Sequence, residues 1–186
     1  MAGIIKAVGP FQLAVREPTF ETLARSITFQ QLSGKAAATI FERLRCAAGR
    51  RLTAAALLKL TTGQLRECGL SRQKIASLTH LAELCASGEI NFKKLPSMAD
   101  DEVIEHLSRA RGVGVWTAQM FLIFALQRPD IMPSGDLGIR NAIYKAYGLA
   151  DVPKPTEVAI MAEKWRPYCS MVSWYLWRSL DGAAAI

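Results

Sequence analysis

Residues 107–140 read LSRARGVGVWTAQMFLIFALQRPDIMPSGDLGIR, and the two ends of the stretch are suited to different tasks. Gly112-Val113-Gly114 makes a glycine hairpin between two helical patterns. Glycine permits positive φ and close approach of the backbone. The helix that follows opens at Val115 or Trp116, so its first N–H groups and its positive dipole end face the hairpin. Arg109 and Arg111 precede it. On its own, Gly-x-Gly is more commonly a tight helix–helix turn; here its surroundings suit it to a phosphate. No P-loop lysine follows and no strand precedes it, so a nucleic-acid backbone phosphate fits better than a nucleotide cofactor. Further on, Asp136 presents one carboxylate in a Pro-Ser-Gly-Asp turn. A phosphate grip next to a reactive carboxylate points to chemistry on DNA.

Helical patterns extend outward from this stretch in both directions. Thr19 is suited to cap a helix through Leu23 and Ile27, Ser33 one through Ala37 and Phe41, and Thr53 a short one. Thr61 or Thr62 opens another that ends near Gly69. Ser71 starts a longer helix with Ile75, Leu78, Leu81 and Leu84 on one face and Gly88 as its stop. Asp100, Asp101 and Glu102 suit the positive end of a helix running to Arg109. Val115–Leu126 reads as a buried helix broken by Pro129 and Pro133. Asp136 opens the next, which ends at Gly148. Pro155–Trp165 and Pro167–Leu180 supply the last two. Strand signals are nearly absent, so the fold class is all-α.

The chain has 186 residues, 51% of them hydrophobic, enough for a buried core. A net charge of +7 favours a polyanionic partner. No apolar run reaches the roughly 18 residues that span a bilayer, so the expectation is a cytoplasmic protein with no membrane partner, nucleoid-associated if bacterial. Cys46, Cys68, Cys85 and Cys169 are scattered with no C-x-x-C pair, which excludes a recognisable zinc or iron–sulfur pattern and implies reduced, mostly buried thiols. His80 and His106 are the sole histidines, which disfavours metal hydrolysis and Ser-His chemistry.

Arg111–Ala118, RGVGVWTA, followed about twenty residues later by Pro133–Arg140, PSGDLGIR, resembles the helix-hairpin-helix (HhH-GPD) DNA glycosylase superfamily, in particular its alkylpurine, or 3-methyladenine, branch. Three further segments are similar in the family's order: Ser26–Ala38 (SITFQQLSGKAAA), Leu65–Ile75 (LRECGLSRQKI) and Trp165–Trp177 (WRPYCSMVSWYLW). The resemblance implies a single domain of two helical lobes with a DNA-binding cleft. A hairpin-containing lobe covers about 30–135 and the second is built from 1–29 plus 136–186. An additional N-terminal sheet domain and an iron–sulfur cluster are not expected.

The resemblance also assigns roles. Asp136 corresponds to the catalytic carboxylate, a role compatible with its own reading as a helix N-cap. Breaking an N-glycosidic bond builds positive charge on the sugar, which a carboxylate stabilises. Alkylated purines already carry positive charge and leave without a second acid. Relatives that also nick the strand carry a lysine where this chain has Trp116, which implies a monofunctional glycosylase. Trp116, Trp177, Trp174 and Met120 are candidate base-pocket residues, with core packing the competing reading for Trp116 and for at least one of Trp174 and Trp177. Gln31, and after it Leu32, are candidates for the wedge that fills the hole left by a flipped base; a glutamine pair capping helix ends is the other reading. Arg111, Gly112, Val113, Gly114, Val115, Thr117, Ser33, Lys35, Ser71, Arg72 and Lys74 are candidate backbone contacts, although charged runs are usually solvated faces.

No cofactor is expected beyond a monovalent cation at the hairpin's backbone carbonyls. The implied partner is double-stranded DNA containing alkylated bases, bound by a monomer. Two alternatives stay open: a glycosylase for uracil, hypoxanthine or oxidised guanine, and a non-catalytic helix-hairpin-helix module, which would have no need of Asp136.

Overall fold

The computed structural model describes residues 1–182, and all their regular structure is helical. The α-helices are α1 (Ala2–Val8), α2 (Phe20–Phe29), α3 (Gly34–Ala47), α4 (Ala54–Leu58), α5 (Thr62–Glu67), α6 (Arg72–Ala86), α7 (Asp100–Ser108), α8 (Val115–Phe124), α9 (Leu137–Tyr147), α10 (Pro155–Ala162) and α11 (Cys169–Gly182). The expected caps are in place. Thr19, Thr53 and Ser71 accept from the N–H groups of Thr22, Ala56 and Lys74, and Thr61 forms a reciprocal capping box with Gln64. Ser33 occupies the N-cap position of α3 without a side-chain cap bond.

The chain folds as two compact units. One is Arg16–Phe121, where α2 packs on α3 and α6, and α4 and α5 pack on α6. Leu23, Ile27, Leu44, Leu57, Leu78 and Leu81 are fully buried there. The other is Met1–Val15 with the chain from Leu122 onward, in which α1 and α9 pack on α11 around Ile139, Ile143, Val158 and Leu176. Both boundaries fall fourteen residues earlier than the sequence implies, at 16 rather than 30 and at 122 rather than 136. Packing explains the shift. Contact with α3 and α6 draws α2 into the hairpin unit, and bonds to α11 draw the segment around Arg128, Pro129 and Ile131 into the unit of the chain ends.

Helix α1 has no counterpart in the sequence reading. It has no side-chain cap and no buried residue, so it carries no local signal. Tertiary contacts hold it: Met1 and Ile4 pack on the core cluster, and Tyr175 Oη donates to Gly9 O at 3.0 Å. The last helix starts at Cys169 rather than Pro167, because partners outside it fix its first turn. Cys169 N donates to Asp130 Oδ1 at 3.4 Å, and Ser170 N to Pro129 O at 2.9 Å.

The segment between α8 and α9 has no regular structure, and the start of α11 supplies its bonds. The hydroxyl of Ser170 donates to Arg128 O (2.6 Å) and accepts from Ile131 N (3.0 Å). Ser173 donates to Cys169 O (2.8 Å), with Ile131 O at 3.4 Å. Asp130 pairs with Arg166 at 2.7 Å. Of the thiols, Cys68 and Cys169 are buried, Cys85 is half-buried and Cys46 is exposed. Burial, reinforced by the Asp130 carboxylate, pushes the Cys169 thiol up to about 12, and burial pushes Cys85 up to about 11.

Ser170→Ala strands two backbone groups at once. It is expected to cost about 1–3 kcal/mol, read as a lowered urea midpoint with an unchanged m-value. An unchanged midpoint would remove Ser170 from this role.

Candidate active site

Asp136 caps α9 as its local sequence requires, with Oδ1 accepting from Ile139 N at 2.8 Å. The same oxygen accepts from Trp177 Nε1 at 3.0 Å. Phe124 stacks on Trp177 with ring centroids 6.0 Å apart, so the indole is held on one face and at its N–H edge. Gly138 makes the close approach possible. A Cβ there would lie 3.0 Å from Asp136 Oδ1 and 3.3 Å from Trp177 Cδ1. Sequence reasoning passed over Gly138, although its place two residues after the carboxylate was visible. The carboxylate is therefore fixed in direction by a helix terminus and an indole together.

Trp177 is thus a partner of Asp136 as well as a candidate pocket wall. Trp174 is not: it is buried edge-on against Phe11 and Tyr175, with centroids 5.1 and 4.9 Å away. Core packing accounts for it. Three residues of helical spacing turn the two tryptophans in different directions.

In the other unit, the hairpin between α7 and α8 is anchored from α6 and from the end of α2. Gly112 has φ +80°, and a Cβ on it would sit 2.7 Å from Ser77 Oγ. Arg111 N donates to His80 Nδ1 at 3.0 Å. Gln30 Nε2 donates to Gly112 O at 2.9 Å and to Thr117 Oγ1 at 3.3 Å. Two candidate backbone contacts turn their side chains inward here. Val113 turns its side chain into the core and donates its N–H to Ala110 O. Thr117 is buried with its hydroxyl on Gln30. Gly114, Val115 and the side chain of Arg111 are exposed.

The carbonyls expected to hold a monovalent cation already accept hydrogen bonds at Gly112, from Gln30, and at Ala110, from Val113. Each keeps a second lone pair, so the donor set is chemically adequate for a weakly bound ion. Among the described residues no three His, Cys, Asp or Glu side chains gather to hold a metal. None of their helices is long and apolar enough to cross a membrane.

A groove of about 520 Å³ lies beside the hairpin, lined by Arg25, Phe29, Gln31, Trp116 and Met120 among others. It brings together two candidate pocket residues and the first candidate wedge. The Arg25 guanidinium lies 3.7 Å over the Phe29 ring. Trp116 and Val115 are 48% and 56% exposed and Leu32 is 40% exposed, an unusual display of large apolar side chains around one loop pair. Gln31 has φ +56°, a left-handed conformation rare outside glycine.

Ser33, Lys35, Ser71 and Arg72 are exposed. Lys74, a candidate backbone contact, is half-buried and has partners within the chain. Its ammonium donates to the carbonyls of Thr28 and Gln30, the latter at 2.8 Å, and burial lowers its pKa. Gln30 and Lys74 were the functional neighbourhood's least legible members, because their partners lie tens of residues away in sequence.

The all-helical fold, the hairpin and the capped aspartate together define a class. Residues 24–167 match the HhH-GPD superfamily base excision DNA repair proteins, and the chain belongs to that superfamily. Within it, the chain is 35% identical over 183 residues to DNA-3-methyladenine glycosylase 1 of Schizosaccharomyces pombe, covering 95% of this chain and 80% of that one. It superposes on the S. pombe 3-methyladenine DNA glycosylase Mag1 in complex with abasic DNA with a TM-score of 0.85 at 34% identity, covering 97% and 90% of the two chains. The DNA-3-methyladenine glycosidase of Bacillus halodurans gives a TM-score of 0.88 at 33% identity, covering 99% and 85%.

Gly112→Ala forces a side chain into positive φ and against Ser77. It is expected to cost about 1–3 kcal/mol, measured by thermal denaturation. Combining it with Ser77→Gly should recover the steric part only.

Proposed function

We propose that this protein is a monofunctional DNA glycosylase of base excision repair that releases alkylated purines, 3-methyladenine and 7-methylguanine, from double-stranded DNA. The observation that carries the reading is the Asp136 carboxylate, gripped through Oδ1 by α9 and by Trp177 Nε1. The family membership and the names borne by its relatives support the substrate class.

In this reading the damaged nucleotide is flipped out of the duplex and its base stacks on Trp116. The bond between C1′ and N9 breaks, and its electron pair leaves with the base and neutralises the positive charge that alkylation put there. Asp136 faces the positive charge growing on the sugar. A water oxygen bonds to C1′ and its proton passes to the carboxylate or to solvent. A cationic base needs no protonation before it departs, which accounts for a site built around one carboxylate. Trp116 stands where strand-cutting relatives carry lysine, so no amine is supplied for a Schiff base and the product is an abasic site.

The hairpin N–H groups at the start of α8, with Arg111 beside them, hold a backbone phosphate. A monovalent cation bound at the hairpin carbonyls would add positive charge near that phosphate. Exposed Lys35 and Arg72 extend the basic surface. The enzyme acts as a monomer in the cytoplasm, associated with the nucleoid if the source is bacterial.

Incubation with methylated DNA should release 3-methyladenine and 7-methylguanine, identified by chromatography. Release of uracil, hypoxanthine or oxidised guanine alone would redirect the substrate assignment. Asp136→Asn is expected to slow base release by about 10²–10³-fold or more while binding to abasic DNA persists. Full activity in that variant would refute the role given to the carboxylate. Borohydride added during turnover should trap no covalent protein–DNA adduct; a trapped adduct would contradict the monofunctional reading.

A further inference from the structure

Three side chains at helical spacing on α6 reach the loops described above. Lys74 Nζ donates to the carbonyls of Thr28 and Gln30, at the end of α2, where a helix leaves its last C=O groups without intrahelical partners. Ser77 stands against Gly112, and His80 Nδ1 accepts from Arg111 N. Gln30 closes the circuit. Its carbonyl receives Lys74, while its side-chain amide donates to Gly112 O and Thr117 Oγ1. The next residue is Gln31 at φ +56°, followed by exposed Leu32. A non-glycine residue persists in that conformation where its surroundings over-determine it.

From this geometry we infer that Lys74 and Gln30 are positioning residues for the wedge, holding the Gln31–Leu32 loop at a fixed offset from the phosphate-binding hairpin. The inference rests on the reading of the protein as a base-flipping glycosylase and adds how that act is coordinated. Gripping the backbone and filling the vacated base position become one rigid operation. A wedge on a loose loop would lose conformational freedom at the moment of insertion, weakening its compensation for the lost stacking. Lys74 suits the task. Its flexible stem reaches two carbonyls from another helix, and both bonds occupy the ammonium.

The test uses the full chain and a duplex carrying a tetrahydrofuran abasic analogue opposite 2-aminopurine, read at saturating protein so that a weaker Kd alone changes nothing. Wild type is expected to change the 2-aminopurine fluorescence on wedge insertion, and Gln31→Ala sets the level without a wedge side chain. Lys74→Met and Gln30→Ala, each checked by circular dichroism melting, are expected to lose most of that change. If Lys74→Met does not fold, Gln30→Ala carries the test. The full wild-type change in either folded variant overturns the inference, as does the absence of any change with wild type. Because this readout needs no catalysis, a failure to release alkylated bases would overturn the proposed activity alone.

Discussion

The segment joining α8 to α9 has no helix or strand to absorb its peptide groups, and one face of α11 absorbs those of Arg128, Pro129 and Ile131. Buried backbone N–H and C=O groups need partners, so an irregular segment can hold a fixed shape only where something else supplies the bonds. Ser170 and Ser173 do so, and Trp177, further along the helix, takes hold of Asp136 itself. The turn that carries the carboxylate is therefore tied to that helix. In the other unit, Lys74, Ser77 and His80 on α6 serve the hairpin and the end of α2 in the same way. Each unit sets its functional loops with polar side chains spaced at three or four residues along one helix, a periodicity normally read as packing.

That device explains which features the sequence disclosed. Caps are local, so Thr19, Thr53, Thr61, Ser71 and Asp136 could be read from neighbouring residues, and the helices they start are where expected. The glycines of the hairpin and the aspartate turn were legible for the same reason. The partners of Lys74 were not: nothing in the residues around a lysine near a helix start points to carbonyls at the end of α2. Val113 and Thr117 sat in a phosphate-like motif, yet one face of any hairpin between packed helices must be buried, and they are on it. Trp174 and Trp177 were ambiguous because aromatic residues three apart give no sign of which one meets a partner forty residues away. Helix α1 has no signal of its own, and its order derives from α11.

The proposed chemistry makes modest demands on such a scaffold. One carboxylate must be held still, one flat pocket wall must be exposed and one loop must reach into the duplex. The residues proposed for those tasks show two N–H donors on one oxygen of Asp136, an indole exposed at the first turn of α8, and a left-handed glutamine beside an exposed leucine. Gly138 belongs with them, since any side chain there would press on the carboxylate and on Trp177 together.

The thiols have a bearing on survival. On the proposed reading the enzyme works in cells under attack by electrophiles that methylate nitrogen and sulfur alike, and its own cysteines are targets. Thiolates are the vulnerable species. Cys169 and Cys68 are buried, and Cys169 is further held protonated by the Asp130 carboxylate that helps fasten the catalytic loop. A methyl group on Cys169 would crowd that fastening, so its burial shields the segment that leads to Asp136. The thiols left in reach, exposed Cys46 on α3 and half-buried Cys85 on α6, lie in the other unit, where the same lesion would leave the carboxylate and its supports untouched.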